Sequence, residues 1–262
     1  RRRLRLFCFP YAGGGSSAYF PWVSEIAPEI EVCPVQLPGR EERIRETPFT
    51  HMEELVETVA SALEPYLDQP FAFYGHSLGG LVGFELARYL RRRGWPEPGQ
   101  LFVSGCSAPQ VPPTDEPLGH LPDAEFLQAL RRFNGTSETV LQNADLMQVL
   151  LPLLRADFRL YETYTYASEE PFSFPIAAYG GLDDARARRE GIEVWKVQTN
   201  QQFFFRMYTG DHFFIHTKRK ILLQGISQDL VLPSSVGSEN SHAPAARAVS
   251  QNYCASGIKH IP

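Results

Sequence analysis

Apolar residues gather along this chain in six short runs: LRLFCFP at 4–10, EVCPVQLP at 31–38, FAFYG at 71–75, LFVSGCSAP at 101–109, FPIAAYGG at 174–181 and QFFFRMY at 202–208. Each run is nearly continuous and bounded by Gly or Pro, the pattern of a strand covered on both faces. Between them lie stretches with helical spacing, HMEELVETVASALEPYL at 51–67 and LVGFELARYLRRRG at 81–94, the second closed by a glycine. Alternation of such strands with helices predicts an α/β fold, a mostly parallel central sheet flanked by helices on both faces. No internal repeat is visible.

Two regions interrupt the alternation. Residues 112–165 carry two helical patterns, LPDAEFLQALRRFNG and NADLMQVLLPLLRADFRLYETYTY, with no strand between them. An insertion of this kind between two strands is expected to form a helical lid over the carboxyl edge of the sheet, where open α/β sheets bind ligands. The final segment, 231–262, lacks periodicity and is rich in Ser, Ala and Pro, so it reads as a poorly ordered tail after a single domain over 1–230.

Composition narrows the choice of chemistry. With 262 residues and 43% apolar content the chain fills a substantial core, and a net charge of −5 gives no basic field to attract nucleic acid. No apolar stretch approaches the ~20 residues of a membrane-spanning helix. Cys8, Cys33, Cys106 and Cys254 are scattered without a CxxC pair, which fits a reducing, cytoplasmic setting. Nothing in the sequence calls for an oligomer, and a monomer is expected.

The third apolar run ends in GHSLGG, and Gly75-His76-Ser77-Leu78-Gly79 follows a strand signal and precedes a helical one. That is the context a nucleophile elbow requires, because a sharp strand-to-helix turn leaves no room for β-carbons beside the serine. A serine hydroxyl needs a base, and the base needs a group that holds its tautomer. His212, in the glycine-marked loop YTGDHFFIH after the last strand, is the preferred base, with His216 one turn later as the alternative. Their i, i+4 spacing suits a metal, but no Glu lies between them and no third ligand is evident, so no metal is expected. For the acid, FPIAAYGG leads into Leu182-Asp183-Asp184; Asp184 is preferred to Asp183, and Asp211 is too near His212 along the chain to orient its ring.

Such a nucleophile also needs donors for a developing oxyanion. The N–H of Leu78 is one, and the glycine-rich loop after the first strand, FPYAGGGSSAYFPW, supplies a second through Ala12, with Tyr11 and Gly13 as its neighbours. The same loop lacks both the spacing and the lysine of a phosphate-binding loop. Phe126, Leu130, Phe133, Phe158 and Tyr161 of the inserted helices are candidates to line an acyl channel, with core packing as their other role.

Six blocks in order, LFCFPYAGGGSSAYFPW, LPGREERIRE, FAFYGHSLGG, PLLRADFRLYETYTY, AAYGGLDD and GDHFF, resemble the type II thioesterases that accompany nonribosomal peptide and polyketide synthetases. The likeness runs from about residue 4 to about 228. It implies an α/β-hydrolase with a helical lid that removes acyl or aminoacyl groups from the phosphopantetheine arm of carrier proteins, with Ser77 as nucleophile, Asp184 as acid and His212 as base. No cofactor is implied, since the substrate itself carries the phosphopantetheine. Ala185 stands where the family commonly has proline after the acid, which leaves Asp183 in contention. Acyl and peptidyl carrier proteins are the implied partners, and Arg40, Arg43, Arg45, Arg131, Arg132 and Arg155 are candidates to attract their acidic surfaces. The alternatives on the same fold are a general carboxylesterase or lipase, a medium-chain acyl-thioester hydrolase, and a catalytically silent carrier-binding module.

Overall fold

A computed structural model describes residues 4–113, 116–132 and 141–231. Its centre is a six-stranded, wholly parallel sheet of β1 (Leu4–Phe9), β2 (Ile30–Pro34), β3 (Phe71–His76), β4 (Leu101–Ser104), β5 (Ile176–Gly181) and β6 (Phe203–Tyr208), in spatial order β2-β1-β3-β4-β5-β6. Each of the six apolar runs contains one of these strands, though the runs at 31–38 and 101–109 extend past β2 and β4 into loops. The order reverses at β1 and β3, so the loops after these two strands diverge and leave a crevice at the carboxyl edge. The GxSxG turn and the glycine-rich loop both lie there.

The flanking helices are α1 (Trp22–Glu25), α2 (Met52–Leu63), α3 (Leu78–Arg93), α4 (Asp123–Arg132), α5 (Ala144–Glu162), α6 (Arg189–Glu193), α7 (Phe214–Thr217) and α8 (Arg219–Asp229). Local chemistry sets their ends. Pro65 tightens the chain after α2 into a 3₁₀ turn, which shortens the expected helix. Gly94, at φ +64°, closes α3 with its N–H on the carbonyls of Leu90 and Arg91. Asn143 caps α5, its side-chain oxygen accepting the Leu146 N–H at 3.1 Å.

Two apolar layers sandwich the sheet. On one face Phe7, Phe9, Phe73 and Val103 pack against α2 and α3; on the other Leu6, Tyr74, Phe102 and Tyr179 pack against Trp22, Phe214 and the α8 residues Leu222 and Ile226. β1, β3, β4 and β5 are buried on both faces, as continuous apolar runs demand, whereas β6 is only partly covered because it is an edge strand. A third cluster, Phe126, Leu130, Leu141, Met147, Leu154 and Phe158, joins α4 to α5 within the segment between β4 and β5. Among the described residues no helix is long and apolar enough to cross a membrane. Residue 231 ends the described chain, so the tail expected over 231–262 lies almost entirely outside the described residues, as does Phe133.

Candidate active site

Ser77 stands alone between the end of β3 and the start of α3, at φ 54° and ψ −120°, a conformation costly for any residue with a β-carbon. The turn is held by Ser77 N–H donating to the Ser104 carbonyl at 2.8 Å and by Gly80 N–H donating to the Ser77 carbonyl at 2.9 Å. The glycines are required by space. A β-carbon on Gly75 would lie 2.0 Å from the Gly79 carbonyl oxygen, and one on Gly79 would lie 2.2 Å from that of Phe9. The strain thus presents the serine side chain at the tip of the turn, in the wall of a cavity of about 260 Å³.

His212 lines the same cavity, carried by the loop after β6. That loop turns through Gly210 at φ +122°, and Asp211 steadies it: the Phe213 N–H donates to its Oδ1 at 2.9 Å. The His212 ring meets Asp184, whose Oδ2 lies 2.7 Å from Nδ1, with both side chains almost fully buried. The other carboxylate oxygen accepts the N–H groups of Arg186 at 2.9 Å and Ala187 at 3.1 Å. Burial pushes the Asp184 carboxyl up, but the bond from His212, the charge of that ring and the two backbone donors outweigh it and hold the group below the ordinary aspartate value. An ionised carboxylate only accepts hydrogen bonds, so Nδ1 of His212 carries the proton and Nε2 is left as the basic lone pair. Asp183 is exposed on the same turn, with its backbone N–H on the Gly210 carbonyl at 3.0 Å.

Ala12 and Leu78 complete this wall. Among the described residues neither backbone N–H has a protein acceptor, whereas the adjoining Gly13 and Gly14 N–H groups are both bonded. Two free donors beside a nucleophilic hydroxyl can receive a negative oxygen. Phe158 and Tyr161 of α5 also line the cavity.

Several expected residues sit elsewhere. Phe126 and Leu130 do not line the cavity: they fill the core between α4 and α5, 0% and 4% exposed, because the apolar stripe of α4 faces α5. His216 is exposed and lies 3.0 Å from the Tyr11 hydroxyl, so the two loop histidines serve different partners. Arg40 is buried against Asp157 and is no surface cation. Arg43 is taken up by Glu46 and Arg155 by Asp123 and the Leu121 carbonyl, whereas Arg45 and Arg131 are exposed; the Arg132 side chain lies outside the described residues. Sequence reasoning missed Asp157 in the cavity wall. Its signal was an acidic residue one position from Phe158 and three from Leu154 on an otherwise apolar helix face.

His76, between the two turn glycines, is fully buried with Nδ1 3.0 Å from Ser104 Oγ and its ring 5.0 Å from that of His212. Burial, followed by the nearby His212 and His216, holds its basicity well below that of an ordinary histidine. Cys106 also borders the cavity; burial first, and then the Asp184 charge, pushes its thiol up to about 12, so it is a neutral wall residue.

Comparison with known proteins points to one family. The family model described as a thioesterase domain matches residues 4–230. The gramicidin S biosynthesis protein GrsT of Aneurinibacillus migulanus is 47% identical over 230 residues, covering 88% of this chain and 90% of its own. Among solved structures, the RedJ thioesterase from the prodiginine pathway of Streptomyces coelicolor superimposes with a TM-score of 0.82 at 39% identity, covering 87% of this chain and 91% of that one. The type II thioesterase BorB of the borrelidin biosynthetic cluster gives 0.79 at 33% identity, with 86% and 92% covered. A model spanning nearly the whole described chain, together with relatives of full-length similarity, settles its kinship: the chain belongs to the thioesterase family, on an α/β-hydrolase fold.

Proposed function

We propose that this protein hydrolyses acyl or aminoacyl thioesters on the phosphopantetheine arm of carrier proteins, in the service of a nonribosomal peptide or polyketide synthetase. The observation that carries the reading is the His212–Asp184 bond in the wall that also holds Ser77. Ser77 Oγ attacks the thioester carbonyl carbon while His212 Nε2 takes the hydroxyl proton. The carbonyl oxygen, now negative, receives the N–H groups of Ala12 and Leu78. Collapse of the adduct breaks the carbon–sulfur bond, and His212 returns its proton to the departing pantetheine thiol. Water then attacks the acyl-serine, again losing a proton to His212, which gives that proton to Ser77 Oγ as the acyl–oxygen bond breaks and the acid leaves. Asp184 keeps the imidazole in the required tautomer and steadies its charged form without taking the proton. The α4–α5 layer acts as a lid whose inner wall, through Phe158 and Tyr161, borders the acyl group.

A thioester suits this machinery, because weak resonance and a good leaving group let two donors and one base suffice without a metal. Of the original set, Arg45 is an exposed cation that can meet an acidic carrier. The test is intact-protein mass spectrometry of a panel of acylated carrier proteins before and after exposure to the protein. Loss of the acyl mass with wild type and its retention with Ser77→Ala is expected. Turnover of oxygen esters with no activity on any acyl-carrier would replace this reading by a general esterase, and full activity of Ser77→Ala would remove Ser77 from the reaction.

A further inference from the structure

Behind the candidate oxyanion loop lies an ion pair that the reaction does not use. Arg40, from the loop after β2, and Asp157, from the middle of α5, have side chains 4% and 0% exposed. The contact is a fork: Nη2 to Oδ1 at 2.8 Å and Nη1 to Oδ2 at 3.1 Å. Both ends also grip the glycine-rich loop. Asp157 Oδ2 accepts the Gly13 N–H at 2.7 Å, and Arg40 Nη1 donates to the Gly14 carbonyl at 2.9 Å.

The consequence follows from peptide planarity. The Gly13 N–H shares a plane with the Ala12 carbonyl, so Asp157 fixes the peptide on one side of Ala12. The Tyr11 carbonyl shares a plane with the Ala12 N–H, and it accepts the Gly14 N–H at 2.9 Å, which fixes the peptide on the other side. Arg40 holds the Gly14 carbonyl. Gly13 itself stands at φ +74°, and a β-carbon there would lie 2.6 Å from Leu154 Cδ2, so α5 presses directly on the bend. The two peptides flanking Ala12 are therefore held by the Tyr11–Gly14 turn on one side and, on the other, by Asp157 of α5, 144 residues beyond Gly13 in the chain. A buried ion pair is weak evidence for stability, since apolar replacements of similar volume are often neutral or stabilising. Its fork geometry and its two backbone contacts point instead to placement.

We propose that Asp157, clamped by Arg40, is a positioning residue that aims the Ala12 N–H at the carbonyl oxygen of the substrate, so that the oxyanion hole is complete only while α5 is seated on the glycine-rich loop. The proposal rests on the reading of Ala12 as an oxyanion donor.

Two double variants separate placement from charge. Arg40→Met with Asp157→Leu removes both the ion pair and the acceptor for Gly13; Arg40→Gln with Asp157→Asn removes the charges but keeps a side-chain oxygen for the Gly13 N–H. Each is assayed on a small acyl-N-acetylcysteamine thioester, by thermal melting, and by binding of an acyl trifluoromethyl ketone, whose adduct with Ser77 places an oxyanion in the hole. The apolar pair is expected to fold and to lose about 10²- to 10³-fold in kcat, the cost of one oxyanion donor, with KM within about twofold and with trifluoromethyl ketone affinity falling in proportion. The amide pair is expected to lose no more than about fivefold. Equal kcat in the two pairs, or a folded apolar pair within about threefold of wild type, overturns the proposal. If the apolar pair does not fold, Arg40→Gln with Asp157→Ser, whose short hydroxyl cannot reach Gly13, carries the same expectation. Ala12→Pro, which deletes the N–H itself, distinguishes the two levels of the claim. Loss of ketone affinity in Ala12→Pro beside a fully active apolar pair refutes only the positioning role, whereas unchanged affinity in Ala12→Pro refutes the donor and the positioning role together.

Discussion

Gly181, the last residue of β5, offers a sharp test of how the sheet holds His212 against Asp184. Its backbone passes beneath the loop after β6, and the next two residues are tied to that strand and loop, Leu182 N–H on the Tyr208 carbonyl at 2.7 Å and Asp183 N–H on the Gly210 carbonyl at 3.0 Å. A β-carbon at 181 would lie 2.5 Å from the Asp211 carbonyl oxygen and 2.6 Å from that of Gly210. Close carbon–oxygen contacts otherwise sit at about 3.3 Å or more, so Gly181→Ala must push the 210–211 turn away by about 0.8 Å. Both obstructing atoms are backbone, and neither can rotate aside. The next residue is His212, so the displacement is delivered to the imidazole while Asp184 stays with β5. Overpacking of this size costs about 1–3 kcal/mol, which for a domain of this length lowers Tm by roughly 2–12 °C. Misplacement of a reacting group by about 1 Å costs on the order of 10²-fold in rate, so kcat on a small acyl thioester should fall about 10- to 100-fold with KM little changed. Thermal melting and steady-state kinetics on the same preparation separate the two effects. A folded Gly181→Ala protein with wild-type kcat would show that the loop does not hold His212 in the way described.

Asp184→Asn keeps the shape of the contact but lets the amide donate to Nδ1, favouring the tautomer with its proton on Nε2; kcat should fall about 10³- to 10⁴-fold while the melting temperature moves little, and a loss below tenfold would reassign the acid. Buried His76 binds a proton less readily than in the unfolded chain, so its contribution to stability is fully present above the unfolded value near pH 6.5 and is lost as pH falls below it. Between pH 6.5 and 5, above the range where Asp184 titrates, wild type should lose up to about 1.4 kcal/mol per pH unit more than His76→Asn; parallel urea-unfolding slopes across that window would contradict the assignment. Phe126→Ala opens the core between α4 and α5, 0% exposed in the folded chain, and should cost about 3–5 kcal/mol, yet leave the KM for a small thioester near its wild-type value. A large rise in that KM without loss of stability would put the ring in the acyl site after all.

The central strands β1, β3, β4 and β5 were legible in the pattern because a parallel strand buried on both faces must be continuously apolar, and the helix pattern after Ser77 was legible because its apolar spacing and terminal Gly94 are local signals. The GxSxG turn announced itself partly for a local reason: the clash that Gly75 avoids arises within five residues, whereas the one Gly79 avoids is with the end of β1 at Phe9. Arg40 shows the opposite case. An arginine in a glycine-bearing loop reads as a surface cation, and only the approach of α5, 117 residues away, converts it into one half of a buried fork. Phe126 and Phe158 lie on neighbouring helices with the same apolar character, yet one fills a core and the other borders the cavity.

Short-range physics therefore decided the alternation of strands and helices, the strained serine turn and the residue types that catalysis requires. The packing of distant segments decided which of two adjacent aspartates meets the imidazole, which aromatic rings face the cavity, and whether a charge is spent inside or left for a partner. The reason is that strand continuity, glycine conformation and turn sterics are properties of neighbouring residues, whereas a hydrogen bond between positions 184 and 212 exists only after β5 and β6 have paired.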